Sequence, residues 1–249
     1  MIEQKKNRLF VVLAGIFLTN AIIAELLGVK IFSGNLSVIG IPTTFNLTAG
    51  VVVWPVVFIT SDLINEYFGK PGVKRISYLA AIFISYAFVI IFLVMNLSPS
   101  QWWLDANNKD SAGNFFDIDF AFRKIFGQGQ RIIVASLIAF LLGQLVDVFV
   151  FQKLRRVTGS KMLWLRATGS TLISQLIDSF VVISLAFYGN LTNAQILSIS
   201  STNYIYKFAL AILLTPLVYG GHYLIDRYLG KADAERLSEE SAQQSSSFF

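Results

Sequence analysis

Two stretches of the chain place a glutamine and an aspartate three residues apart inside a long apolar run. The first pair is Gln144 and Asp147, and the second is Gln175 and Asp178. On a helix, this spacing puts both side chains of a pair on one face. An aspartate at the centre of a lipid-embedded helix costs about 2.5 to 3.5 kcal/mol on insertion scales. Two such pairs on neighbouring helices therefore predict a polar cavity that both pairs face.

The composition places these pairs in a membrane protein. Of the 249 residues, 55% are hydrophobic and only 14% are charged, whereas a soluble domain has about a quarter charged residues. The absence of cysteine excludes disulfides and thiolate metal sites, and the single histidine argues against a zinc centre. We expect no cofactor and no metal. The apolar run over residues 9–29 is too long for a cleavable signal peptide and is predicted to be the first retained span.

The apolar runs predict six transmembrane helices. They cover residues 9–29, 45–68, 76–97, 131–151, 163–188 and 204–228. Each has about the 20 residues that cross a hydrocarbon layer about 30 Å thick. Gly69 and Pro71 are the predicted stop of the second helix. The fold class is therefore all-α, with a six-helix transmembrane domain over residues 1–229, and the polar residues 230–249 are predicted to be a disordered tail.

The longest connection covers residues 98–130. Trp102 and Trp103 stand where aromatic residues favour the membrane interface. Residues 115–126 are predicted to form a short amphipathic helix that lies on the membrane, with Asp119 and Arg123 paired at i, i+4.

The basic residues predict the orientation of the chain. With the N-terminus inside the cell, the cytoplasmic segments hold 14 Lys and Arg and the outer segments hold 4. Positively charged residues accumulate on the cytoplasmic side of membrane proteins. The sequence thus predicts a multi-pass protein of the cell (inner) membrane with both termini in the cytoplasm. The same distribution accounts for the net charge of +5 without a nucleic-acid partner.

Three acidic residues from three helices are predicted to lie at similar depths. At about 1.5 Å of rise per residue, Asp62, Asp147 and Asp178 lie roughly 9 to 18 Å from the nearest basic anchors. A polar stripe on the fifth helix faces a partner or water, because lipid offers no hydrogen bonds. The uncharged residues of this stripe also admit a purely structural role, because hydrogen bonds between membrane helices contribute about 0.6 kcal/mol each. The stripe consists of Thr171, Ser174, Gln175 and Asp178.

The chemistry of this set admits more than one ligand. A carboxylate accepts hydrogen bonds and an amide both donates and accepts, which suits a guanine-like edge. Trp54, Phe149 and Phe180 are on the same helices and are candidates for stacking on a flat heterocycle. A cationic amine or a proton also suits buried carboxylates, so the residues alone leave the substrate open.

Taken together, these residues resemble the queuosine precursor transporter family, also called the vitamin uptake transporter family. The likeness covers residues 9–229 and is carried by residues 60–69 (TSDLINEYFG), 131–151, 170–179 and 204–219. It implies six helices packed much like the substrate-binding component of vitamin uptake (ECF) transporters. It also implies import of the 7-deazaguanine bases preQ0 or preQ1 for tRNA queuosine biosynthesis. The substrate-binding residues that the resemblance implies are Asn20, Asp62, Arg131, Gln144, Asp147, Gln175, Asp178 and Lys207.

The sequence admits three function classes. The first is a transporter that acts alone on a small 7-deazaguanine molecule in the lipid bilayer. The second is a substrate-binding subunit of an ATP-driven uptake system for a vitamin or purine-like molecule. The first helix has a single small-residue pair, Ala24 and Gly28, and this pair is poor support for such a subunit. The third is an intramembrane enzyme, disfavoured because no nucleophile–base pair, metal cluster or nucleotide loop is present. His222 is predicted to be interfacial, and a homodimer is left open.

Overall fold

The fold is helical, as the composition predicts. The structure is a computed structural model that describes residues 2–28, 30–35, 44–127, 130–158, 162–189 and 192–246. The described helices are α1 Ile2–Leu27, α2 Trp54–Met95, α3 Gln101–Ala106, α4 Ile118–Phe126, α5 Gln130–Thr158, α6 Leu163–Phe187, α7 Asn193–Leu229 and α8 Lys231–Ser246. Two short strands, β1 Ile31–Asn35 and β2 Thr44–Thr48, lie between α1 and α2.

Four of the described helices are long and apolar enough to cross a membrane, which makes this a multi-pass membrane protein. They lie within α1, α2, α5 and α6, and the bent pair Asn193–Leu210 and Ile212–Leu229 of α7 adds a fifth if it crosses as one unit. With 42 residues, α2 has about twice the number of residues that one span requires. The count of six spans stays a prediction.

A break at Gly69 divides α2 where the sequence predicts a helix stop. Gly69 has φ 63° and ψ −168°, a backbone conformation that is essentially restricted to glycine. Pro71 follows it and lacks the N–H that an uninterrupted helix would use. As a result, α2 consists of two helical segments, and the one before the break carries Asp62 and Glu66.

The segment before α2 corrects one prediction. The second helix was expected to begin near residue 45, but Thr44–Thr48 is strand β2 and pairs antiparallel with β1, with Ile31 opposite Thr48. A 3₁₀ turn, Ala49–Val52, then leads into α2. Gly50 packs so closely on α1 that a Cβ there would lie 2.6 Å from the Ala24 carbonyl oxygen. The threonines and Phe45 favour extended backbone, so the apolar run did not by itself indicate a helix.

The long connection contains the predicted amphipathic helix. In α4, Arg123 Nε lies 2.8 Å from Asp119 Oδ2, the expected i, i+4 pair. The Asp117 side chain caps the helix by accepting a hydrogen bond from the Phe120 backbone N–H at 2.9 Å. A second short helix, α3, precedes it and carries Trp102, which is largely exposed.

The start of α7 also differs from the prediction. Residues 193–203 were expected to be a loop, but they form the first three turns of α7. Thr192 and Gln195 make a capping box, in which each side chain bonds the other residue's backbone N–H. This signature is present in the sequence and outweighs the polar composition of the segment.

The C-terminal segment is helical where a disordered tail was expected. Helix α8 packs against α2, α5 and α7, and its Ala234 and Leu237 are buried in the main apolar core. That core also includes Phe17 of α1, Ile64 and Tyr67 of α2 and other residues of α5 and α7. The end of the bundle that α8 covers is called the α8 end below.

Candidate functional site

Three polar helix faces meet at one cavity. The cavity is lined by Trp54, Phe58, Ser61 and Asp62 of α2, by Phe140, Gly143, Gln144 and Asp147 of α5, and by Thr171, Ser174, Gln175 and Asp178 of α6. On α5 and α6 these positions follow the spacing i, i+3, i+4, i+7, and on α2 the spacing i, i+4, i+7, i+8, so each set lies on one helix face. Both glutamine–aspartate pairs therefore line the same cavity, as predicted from their spacing.

Close packing of α5 on α6 brings the two pairs together. A Cβ added at Gly143 would lie 3.5 Å from the Cβ of Asp178 and 3.8 Å from the Ser174 carbonyl oxygen, which is ordinary van der Waals contact. The absence of a side chain at Gly143 leaves space beside the Asp178 carboxylate. The cavity volume of about 20 Å³ holds one water molecule, so a bicyclic base requires the lining side chains to move apart.

The polar groups of the cavity are only partly satisfied. Ser61 Oγ donates to Gln144 Oε1 at 3.1 Å, and Ser174 Oγ donates to Asp147 Oδ1 at 3.3 Å. Asp62 Oδ1 and Gln175 Oε1 are buried and have no hydrogen-bond partner among the described residues. Leaving a buried acceptor unsatisfied costs about 1 to 3 kcal/mol, so these two atoms are poised to accept hydrogen bonds from a ligand.

Aromatic rings form one wall of the cavity. The Trp54 and Phe58 rings stack with centroids 5.5 Å apart and an interplanar angle of 24°, and the Phe140 ring lies 6.1 Å from Trp54. Of the three rings proposed from sequence for stacking, Trp54 lines the cavity. Phe149 is instead half exposed on the outer surface of the bundle, and Phe180 is not among the lining residues. An apolar wall beside amide and carboxylate groups suits a flat, polar-edged ring.

An ion pair stands at the cavity wall. Lys207 Nζ of α7 donates to Asp178 Oδ2 at 2.5 Å, and both side chains are about one-fifth exposed. Glu25 of α1 accepts two hydrogen bonds from Ser136 Oγ, at 2.7 and 2.8 Å, and lies within electrostatic range of Asp178 and Lys207. The pair ties α6 to α7 at the position where a ligand would meet Asp178.

A second charged cluster is buried one helical turn from Asp62. Arg166 Nη2 donates to both carboxylate oxygens of Glu66 at 3.0 Å. Arg155 Nη2 lies 3.5 Å from Glu66 Oε1, and Ser238 Oγ of α8 donates to the same oxygen at 2.8 Å. Ser241 Oγ donates to the Glu66 carbonyl oxygen at 2.6 Å. We call Glu66, Arg155, Arg166, Ser238 and Ser241 the Glu66 cluster; it joins α2, α5, α6 and α8 and closes the α8 end.

The structure brings six of the eight residues proposed from sequence to this region. Asp62, Gln144, Asp147, Gln175 and Asp178 line the cavity, and Lys207 is bound to Asp178. Asn20 is not among the lining residues and donates to the Ile16 carbonyl oxygen of its own helix at 2.8 Å. Arg131 lies in α5, but its side chain falls outside the described residues.

Sequence reasoning missed several lining residues. Phe58 and Phe140 belong to apolar runs and look like any lipid-facing aromatic residue, and Ser61 was not singled out. The signal that identifies them is helical periodicity from a known polar residue. Phe140 precedes Gln144 by four residues, and Phe58 precedes Asp62 by four, so each lies on the same face as its polar neighbour.

Comparison with known proteins identifies the family to which the chain belongs. The model of the family described as "Putative vitamin uptake transporter" matches residues 48–221, which include every residue that lines the cavity. The chain belongs to this family. A relative from Bacillus subtilis named "Probable queuosine precursor transporter" is 29% identical over 202 residues, 80% of this chain and 82% of that protein.

Two further relatives have similar names. The Escherichia coli protein named "Queuosine precursor transporter" is 28% identical over 198 residues, 78% of this chain and 81% of its own. A Haemophilus influenzae protein named "Probable queuosine precursor transporter" is 28% identical over 183 residues, 71% of this chain and 68% of its own. No solved structure matches the chain, so packing like that of ECF components stays a prediction.

Proposed function

We propose that this protein imports a queuosine precursor, a 7-deazaguanine base such as preQ0 or preQ1, across the cell membrane. The single observation that carries the proposal is the convergence of two amide–carboxylate pairs and an aromatic wall on one cavity. The relatives that cover most of the chain are named for transport of queuosine precursors, which supports the same class of substrate.

The cavity offers complementary contacts to a guanine-like base. The N1–H and exocyclic amine of such a base donate hydrogen bonds, and Gln175 Oε1 is a buried acceptor that has no donor among the described residues. A glutamine N–H₂ can donate in return to the ring carbonyl oxygen. Trp54 and Phe140 offer a surface on which the ring stacks. Asp62, Gln144, Asp147, Gln175 and Asp178 are the proposed substrate-binding residues, with Lys207 as the partner of Asp178.

Transport requires the cavity to open alternately at each end. We propose that the base enters where Asp178 and Lys207 meet and leaves through the α8 end, past the Glu66 cluster. We propose that the α8 end, with both termini, faces the cytoplasm, an orientation that the distribution of Lys and Arg supports. We further propose that the protein works without an ATP-driven partner and has no catalytic activity, in keeping with relatives that are named transporters.

Uptake of labelled base tests the proposal. Cells that cannot synthesise queuosine precursors are expected to accumulate labelled preQ0 or preQ1 only when they carry this protein. Proteoliposomes without ATP are expected to show the same uptake. A requirement for ATP and a second component would instead identify a binding subunit, and no uptake of either base in both systems would refute the proposal.

A pair of variants tests the position of the site. Gln175→Leu removes a cavity amide and is expected to reduce uptake at least about fivefold, since a lost hydrogen bond to a buried polar group costs about 1 to 3 kcal/mol. Asn20→Ala removes an amide whose described bond lies within α1 and is expected to keep uptake within about twofold. Equal losses in the two variants would place the site elsewhere.

A further inference from the structure

The acidic groups of the cavity outnumber its cations. Asp62, Asp147 and Asp178 all line the cavity, and none of the lining residues described by the structure is basic. Lys207 compensates Asp178 through its ion pair. The Asp62 and Asp147 carboxylates are each more than nine-tenths buried and lie within electrostatic range of each other.

The nearby arginines do not supply positive charge inside the cavity. Arg166 and Arg155 both contact the Glu66 carboxylate, and neither of them lines the cavity, so the one positive charge left over in the Glu66 cluster lies outside it. The local contacts of Asp147 are hydroxyl groups of α6, among them Ser174 Oγ at 3.3 Å. Hydroxyl donors orient a carboxylate but carry no net charge. Asp62 Oδ1 lacks even a neutral donor among the described residues.

Two buried carboxylates in one cavity need compensation when a ligand excludes water, because isolated buried charges are strongly unfavourable. We propose that a cationic group on the substrate supplies it, bound between Asp62 and Asp147. The cavity therefore binds a flat, donor-rich base with a protonated amine more tightly than a neutral base of the same shape. This inference rests on the proposed function and specifies its substrate class.

The arrangement assigns the carboxylates different roles. Asp178, held by Lys207, presents a neutralised ion pair to the ring. Asp62 and Asp147 form the receptor for the amine. Because the cavity admits about one water molecule as it stands, the amine enters only as the α2 and α5 faces separate, and it then replaces water between the two carboxylates.

Three 7-deazaguanine bases test the inference directly. PreQ1 carries a protonated aminomethyl group, the 7-hydroxymethyl analogue is its neutral near-isostere, and preQ0 carries a neutral nitrile. Inhibition of labelled preQ1 uptake is measured with each unlabelled base. The wild type is expected to prefer preQ1 over the hydroxymethyl base by about tenfold or more, since hydrogen bonds to charged groups are worth about 1.5 to 3 kcal/mol.

Variants locate the effect. Asp62→Asn and Asp147→Asn are each expected to weaken preQ1 at least about tenfold while the hydroxymethyl base stays within about threefold. Asp226→Asn, a carboxylate of α7 that accepts from Tyr67 Oη at 3.1 Å and does not line the cavity, is expected to keep the wild-type ratio. Protein abundance in the membrane is measured for each variant.

The outcomes separate the two proposals. Equal inhibition by the aminomethyl and hydroxymethyl bases in the wild type overturns the inference and leaves the proposed function intact; protons would then compensate the carboxylates. Equal weakening of both bases in Asp62→Asn and Asp147→Asn also overturns it. Failure of the wild type to take up any of the three bases overturns the proposed function itself. If a variant does not fold, the wild-type ratio decides alone.

Discussion

Removing charges from the Glu66 cluster is expected to destabilise the bundle in a defined order. Breaking a buried ion pair by removing one partner costs about 3 to 5 kcal/mol. In Arg166→Gln, Glu66 loses two hydrogen bonds of 3.0 Å but keeps Ser238 at 2.8 Å and Arg155 at 3.5 Å. The free energy of unfolding is therefore expected to fall by about 3 kcal/mol, the lower end of that range.

Removing the Glu66 carboxylate leaves more buried charge without compensation than removing the Arg166 guanidinium group does. In Glu66→Gln, two buried guanidinium groups, those of Arg155 and Arg166, lose their shared carboxylate. The expected loss is about 5 kcal/mol. The double variant Glu66→Gln with Arg166→Gln is expected to lose less than the sum of the single changes, because the two residues interact directly.

Unfolding of the purified protein in mixed micelles, followed by circular dichroism as SDS is added, measures these differences. Arg236→Gln is the matched control, because Arg236 lies on α8 with a side chain 60% exposed and its ion pairs are at the surface. That change is expected to cost less than about 1 kcal/mol. A loss in Arg166→Gln no larger than in the control, or a reversed order of the two cluster variants, would refute the reasoning.

Three further predictions follow from other contacts. The double variant Asp178→Lys with Lys207→Asp is expected to restore the membrane abundance that Asp178→Lys alone loses, because it re-forms the ion pair of 2.5 Å. Quantitative blotting measures the abundance. An absence of rescue would contradict a direct ion pair. Gly143→Ala fits at ordinary contact distance and is expected to keep uptake within about threefold. Gly143→Leu is expected to fill the cavity and abolish uptake. Equal uptake by the two variants would contradict the placement of the cavity. Gly69→Ala is expected to cost about 1 to 3 kcal/mol of unfolding free energy at φ 63°, while Gly220→Ala, in a helix with nothing within 4 Å, is expected to be neutral or stabilising.

The polar site was predictable because lipid makes polar residues conspicuous. Asp147, Gln175 and Asp178 each interrupt an apolar run, and their spacing places them on helix faces that must avoid lipid. The same logic failed for Phe58 and Phe140, since an aromatic residue in an apolar run carries no mark of which face it occupies. Their positions follow only when periodicity is counted from the polar residues.

The elements that were mispredicted are those whose stability comes from tertiary contacts. Helix α8 has a polar composition typical of disorder, yet Ala234, Leu237, Ser238 and Ser241 recur at i, i+3, i+4, i+7 and face the bundle. Two serines of this stripe hydrogen-bond to Glu66 and Arg155, which lie more than 80 residues earlier in the chain. No local sequence pattern predicts a hydrogen-bond partner that lies so far away in the chain.

The position of α8 also has a consequence for biogenesis. The three membrane helices that carry Glu66, Arg155 and Arg166 are synthesised and inserted before Ser238 and Ser241 leave the ribosome. Until the α8 segment emerges, the nascent bundle carries two guanidinium groups and a carboxylate without their hydroxyl partners. Loss of α8 is therefore expected to act on the folding of the whole bundle, because the Glu66 cluster would lack two of its hydroxyl donors.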